Sequence, residues 1–274
     1  MNCILINLAS QPARRERVES NFAQTRTGQW VLSHLDAVDA GEAATAAVPG
    51  RISPPEKGCF LSHLAALHAA RQMPGHTLIV EDDVLFGERT FPAIDAALNT
   101  VDHLDWDIMF TDICVPDVHT MIRMFLLRRE LAGRQELKVI PLENLIFAGS
   151  TAYLVNAGSK DKLLGLLTAT PALDAPYDLT LRKLAYQSRL KVWVIFPFVT
   201  SLSSAAESSQ IQAGDDTRIA DLAWNAFRRT MWAEASPAEG ISNLDAIADS
   251  YFDPECIAFS RILSCMLAAK FKAR

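Results

Sequence analysis

The chain has 274 residues, of which 50% are hydrophobic and 21% are charged, a balance typical of a globular protein with one large domain or two small ones. A formal net charge of -6 argues against the basic surface that nucleic-acid-binding proteins need, so we expect no nucleic-acid partner. The five cysteines show neither CxxC nor Cys/His zinc spacing, and we expect reduced thiols.

Predicted strands and helices alternate over the first two hundred residues. The first strand, 2–8, follows Met1 without a basic-then-apolar leader, and no apolar run reaches the ~20 residues of a membrane span, so we expect a cytoplasmic protein. Apolar, β-branched runs predict further strands at 30–35, 77–80, 107–111, 136–141, 150–155 and 190–196. Amphipathic segments predict helices at 12–24, 58–72 and 91–101. This alternation predicts an α/β fold with a mostly parallel central sheet and a ligand crevice at the carboxyl ends of its strands.

The composition changes near Ser201. A polar stretch is followed by helical segments at 217–232 and 253–274. We therefore predict an α/β domain over residues 1–200 and a helical C-terminal extension over residues 201–274.

Three consecutive acids end the third predicted strand, in TLIVEDDVLF at 77–86. Residues two apart in a strand face the same side, so Glu81 and Asp83 can converge on one ligand while Asp82 points away. Carboxylate oxygens suit Mg²⁺ or Mn²⁺. The alternative is a solvated acidic loop.

Other polar residues follow predicted strands or open predicted helices. Arginines 14, 15 and 17 lie in the first turns of the helix after the first strand, where their guanidinium groups can bind phosphate. Asp39 follows the second strand, a position from which an acid can bind ribose. Gly58 is predicted to open a helix that carries Ser62 and His63, with an N-terminus suited to anions.

One alternative for the acids is a response-regulator receiver domain with Asp112 as its phospho-accepting residue. Such a domain needs a helix, a strand and a second helix between its two acidic sites, roughly 35–45 residues. Only 28 residues separate Asp83 from Asp112, and a predicted helix fills most of them. We therefore favour a different interpretation.

Several segments, in this order, resemble glycosyltransferase family 25, the group that includes lipopolysaccharide and collagen galactosyltransferases. The matching segments are INL…RRERV at 6–18, AVDA at 37–40, EKGCFLSHLAAL at 56–67, LIVEDDV at 78–84 and GSTAYLVNAGSKDKLL at 149–164, with weaker similarity at 176–184 and 196–204. The sequence departs from the family pattern at Lys57, where an aliphatic residue is usual, and over 115–136.

The resemblance implies a GT-A-like nucleotide-diphospho-sugar transferase fold for residues 1–200. It also implies an inverting transfer of a hexose, with galactose favoured, from a UDP-sugar to a saccharide acceptor in lipopolysaccharide or other surface-glycan synthesis. The donor's diphosphate needs a divalent cation, Mn²⁺ or Mg²⁺, for which Asp83 is the first candidate ligand and Glu81 the second. The donor-binding candidates are Asn7, Leu8, Arg15, Asp39, His63, Glu81, Asp82, Gly149, Ser150 and Thr151.

Inversion requires a general base that takes the proton of the acceptor hydroxyl. Asp178 is the leading candidate because it precedes a helix in a region that the family places near its active site. Asp112 and Asp174 are alternatives, and so is a purely structural role for Asp178 in the first turn of its helix. A relative that binds nucleotide sugars without catalysis is a further alternative for the whole protein.

The last segment, 256–274, predicts an amphipathic helix with a basic end. One interpretation is peripheral contact with the anionic inner membrane, which would suit a lipid-linked acceptor. The other, which we favour, is a helix that docks its apolar face on the domain.

Overall fold

The structure is a computed structural model that describes residues 1–41, 43–101, 104–169, 172–208 and 215–236, with four single positions beyond. The strands, in chain order, are β1 Asn2–Asn7, β2 Val31–Asp36, β3 Thr77–Glu81, β4 Val84–Phe86, β5 Ile108–Phe110, β6 Lys138–Pro141, β7 Ala152–Val155, β8 Val192–Phe196 and β9 Thr200–Leu202. The helices are α1 Pro12–Thr25, α2 Ala43–Ala47, α3 Pro54–Arg71, α4 Thr90–Val101, α5 Val118–Arg134, α6 Lys160–Thr168, α7 Tyr177–Tyr186 and α8 Asp215–Met231. Single 3₁₀ turns lie at Ala157–Ser159 and Ser204–Ser208.

Seven of the described strands form one mixed sheet in the order β2-β1-β3-β7-β5-β8-β6. β1 pairs parallel with β2 and β3, and β5 pairs parallel with β8. β7 pairs antiparallel with both β3 and β5, and β6 pairs antiparallel with β8. The strands β1, β2, β3, β5 and β8 therefore run in one direction, which confirms the prediction of a mostly parallel central sheet in an α/β fold.

The antiparallel strand β7 excludes the receiver alternative. Receiver domains have the parallel strand order 2-1-3-4-5. Here β7 is inserted between β3 and β5 and runs against both of them. Asp112, the residue that would accept the phosphoryl group, is also 1% exposed.

Apolar side chains cover both faces of the sheet because successive residues of a strand point to opposite sides. In β1, Ile4 and Ile6 pack in one cluster, whereas Cys3 and Leu5 pack in the other. The first cluster includes buried residues of α3, α6 and α7, and the second includes residues of α1 and α4. Helices on both faces leave the edge where β1, β3 and β5 end as the place where polar side chains converge.

The start of α3 corrects one prediction. The helix begins at Pro54 rather than at Gly58, with Ser53 and Glu56 forming a capping box around its first turn. Gly58 lies inside the helix, and a Cβ at this position would lie 2.7 Å from the carbonyl oxygen of Val38. The predicted helix N-terminus at Gly58, and the anion site attached to it, are therefore wrong.

The C-terminal part of the chain is described only in part. The predicted boundary at residue 200 falls inside β9, which pairs antiparallel with β4. The helix predicted at 217–232 is observed as α8. The tail predicted at 253–274 lies outside the described residues apart from single positions. Among the residues described, no helix is both long and apolar enough to cross a membrane.

Candidate active site

Two cavities meet at the carboxyl ends of β1 and β3. The first, about 290 Å³, is lined by residues of β1, α1, the segment after β2, and α3; we call it the β1 cavity. The second, about 270 Å³, is lined by Glu81, Asp83, residues 149–151, the start of α7 and the end of α8; we call it the acid cavity. Cys59 and Glu81 line both cavities, so they mark the junction.

The three acids at the end of β3 face different partners. Asp82 accepts hydrogen bonds from Asn7 at 2.7 Å and from Arg14 at 2.8 Å, on the side of the β1 cavity. Glu81 and Asp83 both line the acid cavity. Glu81 is the last residue of β3, whereas Asp82 and Asp83 form the turn before β4; Asp82 lines the β1 cavity, Asp83 lines the acid cavity, and Glu81 lines both.

Asp83 has an unusual environment for a carboxylate. Its Oδ1 atom is buried and has no hydrogen-bond partner among the described residues. Burial, and then the negative charge of Glu81, raise the pKa of Asp83 to about 7. A buried acceptor without a donor is costly unless a ligand satisfies it. The site therefore fits a bound cation.

Arg228, near the end of α8, supplies positive charge to this cavity. Its Nε and Nη2 donate to Oδ2 of Asp112 at 3.0 and 2.5 Å, and Nη2 also donates to Thr151 at 2.9 Å. Burial opposes its charge, but the carboxylates of Asp112 and Asp83 outweigh that effect and raise the pKa of Arg228. Sequence analysis missed this residue because α8 is more than a hundred residues from Asp112 and carries no local motif.

A chain of hydrogen bonds holds Glu81. The carboxylate accepts from the Ser150 hydroxyl at 2.6 Å and contacts Nε2 of His63 at 3.1 Å. Nδ1 of His63 lies 2.9 Å from the Tyr153 hydroxyl, which lies 2.9 Å from that of Tyr177. Burial alone would raise the pKa of Glu81, but the hydrogen bonds from His63 and Ser150 outweigh it and lower that pKa.

The segment 149–151 is tied to Asp178. Gly149 has a φ of +90°, which a residue with a side chain rarely adopts, and its N–H donates to Oδ2 of Asp178 at 2.7 Å. Asp178 is in the first turn of α7, where its Oδ1 also accepts from the N–H of Leu179 at 2.8 Å. The residue thus has a structural role as well as a place in the wall of the acid cavity.

Most of the predicted site residues line one of the two cavities. Those in the β1 cavity are Asn7, Leu8, His63, Glu81 and Asp82. Those in the acid cavity are Glu81, Asp83, Gly149, Ser150, Thr151 and Asp178.

Four predicted residues lie outside both linings. Arg15 pairs with Glu19 on the surface of α1, and it is Arg14 that lines the β1 cavity. Asp39 is exposed, and its carboxylate accepts from the N–H of Gly41. Asp112 is buried behind Arg228. Asp174 pairs with Arg51 at the surface.

A sequence model of glycosyltransferase family 25 (LPS biosynthesis protein) matches residues 1–181. The chain belongs to this family. The motifs between residues 6 and 164 that suggested the resemblance all lie inside the matched range, so the resemblance is confirmed. Membership places the chain among the glycosyltransferases, in a family of lipopolysaccharide biosynthesis.

The comparison with curated proteins gives no match. Among solved structures, the apo form of mouse xyloside xylosyltransferase 1 is similar, with a TM-score of 0.37 and 10% sequence identity over 70% of this chain and 71% of that chain. The family model ends before α8, so Arg228 lies outside the matched range.

Proposed function

We propose that this glycosyltransferase moves a hexose, with galactose favoured, from a UDP-sugar to a saccharide acceptor with inversion at the anomeric carbon. The β1 cavity would take the nucleoside of the donor, and the acid cavity would take the sugar and the acceptor hydroxyl. The observation that carries the proposal is Asp83, a half-buried carboxylate whose buried Oδ1 atom has no partner among the described residues and which lines the acid cavity of a family 25 chain.

The β1 cavity has features that suit a nucleoside. Apolar residues such as Ile6 and Val38 line it together with hydrogen-bonding groups such as Gln11 and Ser62. Arg14 lines the β1 cavity and forms an ion pair with Asp82. A diphosphate that extends from this cavity into the acid cavity would lie near these two side chains. Apolar walls with a few directed polar groups are typical of small-molecule sites.

Asp83 and Glu81 are the residues that would hold Mn²⁺ or Mg²⁺. When bound, such an ion would stabilise the negative charge that develops on the diphosphate leaving group. Asp83 offers its unsatisfied oxygen, and Glu81 offers a carboxylate already oriented by Ser150 and His63. Arg228 adds a permanent positive charge on the same wall.

Asp178 is the residue that we propose as general base. It lines the acid cavity, whereas Asp112 is buried behind Arg228 and Asp174 lies at the surface. Each carboxylate oxygen has two lone pairs, so Oδ2 can accept from Gly149 and still take the proton of an acceptor hydroxyl. The hydrogen bond from Gly149 would fix the direction in which that lone pair points.

The acceptor proposed is a saccharide or a lipid-linked saccharide of a surface glycan. Contact of residues 256–274 with an inner membrane is the less favoured interpretation of that segment, and it is open to a direct test. Liposome co-sedimentation with anionic vesicles, with and without these residues, tests it: loss of binding on deletion supports contact, and unchanged binding contradicts it.

The test of the function is turnover of a panel of UDP-sugars with Mn²⁺, followed by NMR of the released or transferred sugar. We expect one UDP-hexose to be consumed with an inverted anomeric product, and Asp83→Asn to abolish this activity. Asp174→Asn is the matched control because that acid is at the surface, and it should leave turnover unchanged. UDP-sugar binding without turnover would instead indicate a catalytically silent relative.

A further inference from the structure

A second group of ligand atoms lies at the junction of the two cavities. Cys59 and His63 are four residues apart in α3 and so lie on the same face of that helix. Glu81 approaches them from the end of β3. The sulfur, the imidazole nitrogen and the carboxylate oxygen lie within 4.8 Å of one another.

Two of these side chains are already held in place by further residues. Nδ1 of His63 is hydrogen-bonded to the Tyr153 hydroxyl at 2.9 Å. The imidazole ring stacks on the ring of Tyr177, with 4.3 Å between the ring centroids and 7° between the ring planes. Ser150 fixes Glu81 at 2.6 Å. Outer partners of this kind orient metal-binding histidines and carboxylates in known metal sites.

The tautomer that a metal needs is also accessible. The Tyr153 hydroxyl can accept a hydrogen bond from Nδ1–H of His63 while it donates to the Tyr177 hydroxyl. In this tautomer Nε2 of His63, which faces Glu81, no longer donates a hydrogen bond to that carboxylate and can bind a cation instead.

The ligand types indicate which metal would bind. A thiolate, an imidazole and a carboxylate suit Zn²⁺, whereas Mg²⁺ and Mn²⁺ favour sets of oxygen ligands. Zn²⁺ bonds of about 2.0–2.3 Å place tetrahedral ligands about 3.3–3.7 Å apart, so side-chain movements of about 1 Å would close the group around the ion. Three protein ligands leave a fourth position open, and it would face the cavities that Cys59 and Glu81 line.

Cys59 differs from the other described cysteines in its position. Cys3 lies in the core of β1 and Cys114 is buried, whereas Cys59 lines both cavities. From the sequence, Cys59 was expected only to be a reduced thiol, because the cysteines show neither CxxC nor Cys/His zinc spacing. A Cys-x₃-His pair completed by a residue from a strand carries no such local pattern.

We propose that Cys59, His63 and Glu81 form a Zn²⁺ site that lies beside the Mn²⁺ or Mg²⁺ site proposed at Asp83 and shares Glu81 with it. Binding replaces the Cys59 sulfur–hydrogen bond with a sulfur–zinc bond and releases that proton to solvent. Because Glu81 belongs to both sites, Zn²⁺ would compete with the ion that the donor needs. This inhibitory consequence rests on the proposed function, but the existence of the Zn²⁺ site does not.

The test uses the purified full-length protein freed of metal with a chelator. Zn²⁺ is titrated in competition with a chromophoric chelator, and Co²⁺ is added separately to look for a thiolate-to-cobalt charge-transfer band. We expect one Zn²⁺ per chain and the charge-transfer band in the wild type. Cys59→Ser should remove the band and weaken Zn²⁺ binding more than about tenfold.

Two further variants make the result specific. Tyr153→Phe, which removes the partner of His63 without touching a ligand, should weaken Zn²⁺ binding less than Cys59→Ser does. Asp83→Asn removes a nearby charge but no Zn²⁺ ligand, so it should weaken Zn²⁺ binding less than Cys59→Ser does, while it removes metal-dependent UDP binding. Thermal unfolding checks that each variant is folded. Equal Zn²⁺ affinity in wild type and Cys59→Ser, or loss of Zn²⁺ binding in Asp83→Asn, would overturn the proposal.

Discussion

Each carboxylate at the end of β3 is stabilised by a different set of groups. Asp82 is paired with Arg14, and Glu81 is hydrogen-bonded by His63 and Ser150. Asp83 has the charge of Arg228 nearby but an unsatisfied Oδ1 atom. Two of the three adjacent acids at the end of this buried strand therefore have protein partners, and the third has a buried oxygen that no described residue satisfies.

Arg228 should be important for stability as well as for the site. Replacing it with methionine would leave the buried Asp112 carboxylate without its cationic partner, and such losses cost about 3–5 kcal/mol. We expect Arg228→Met to lower the free energy of unfolding by that order, measured with urea. Arg51→Met is the matched control, since it removes an exposed pair, and it should change stability by less than about 0.5 kcal/mol. Equal effects of the two substitutions on the free energy of unfolding would contradict a buried ion pair between Arg228 and Asp112.

The raised pKa of Asp83 predicts a pH-dependent change in stability. The folded protein binds the Asp83 proton more tightly than the unfolded chain does, since its pKa is about 7 when folded and 3.8 in its reference state. This stabilisation is complete below pH 3.8 and is lost as the pH rises through about 7. In the presence of a chelator, Asp83→Asn should therefore be more stable than wild type at pH 8, by about 1–3 kcal/mol.

The difference between Asp83→Asn and wild type should disappear as the pH falls toward 4. Urea unfolding of both proteins across this pH range measures it. A stability difference that stays constant with pH would show that Asp83 does not titrate as described.

At the scale of elements, the packing of α3 against the segment after β2 shapes the β1 cavity. Gly58 approaches the backbone of Val38, which lines that cavity, and an added Cβ would lie 2.7 Å from the carbonyl oxygen. We expect Gly58→Ala to destabilise the protein by about 1–3 kcal/mol, measured by urea unfolding, because backbone atoms must move.

Gly133, in α5, is the matched control for this substitution. Apart from the neighbouring residues and the backbone of its own helix, no atom lies within 4 Å of a Cβ added there. Gly133→Ala should therefore stabilise the protein by about 0.5–1 kcal/mol through the higher helix propensity of alanine. The same sign of change in both variants would refute the close contact at Gly58.

The elements with strong local patterns could be predicted from the sequence. The seven apolar runs predicted as strands all form strands, and the runs around β1 and β3 were recognised because they are buried and β-branched. β4 and β9, three residues each, are too short for a periodicity to appear. The divergent segment 115–136 contains α5, which the sequence analysis did not predict.

The residues of the candidate site likewise divide into those that could be predicted from the sequence and those that could not. Asp83 and Glu81 could be found because both are adjacent in sequence to a strand end. Arg228, Tyr177 and the grouping of Cys59 with His63 and Glu81 depend on contacts between distant segments, which one sequence does not encode in any local pattern. Arg15 was predicted as a donor-binding residue, but it is Arg14 that pairs with Asp82, while Arg15 pairs with Glu19. The first turns of this helix carry several arginines, and the sequence alone does not show which of them faces the site.

At the scale of the whole molecule, the sheet brings the ends of β1, β3 and β5 to one edge, and α8 closes that edge. The family model covers residues 1–181, yet Arg228 of α8 lines the acid cavity beside Asp83. The β1 cavity and the acid cavity share Glu81, so a ligand that crosses the junction would contact groups from most of the described chain.

The most direct test of the account is calorimetry of UDP binding with and without Mn²⁺, using wild type and Asp83→Asn. We predict that the wild type binds UDP at least about tenfold more tightly with Mn²⁺, a difference of about 1.4 kcal/mol, and that Asp83→Asn shows no such gain. Asp174→Asn, with its change at the surface, should behave as wild type. UDP binding that is equal with and without Mn²⁺, or a metal effect that survives in Asp83→Asn, would contradict the account.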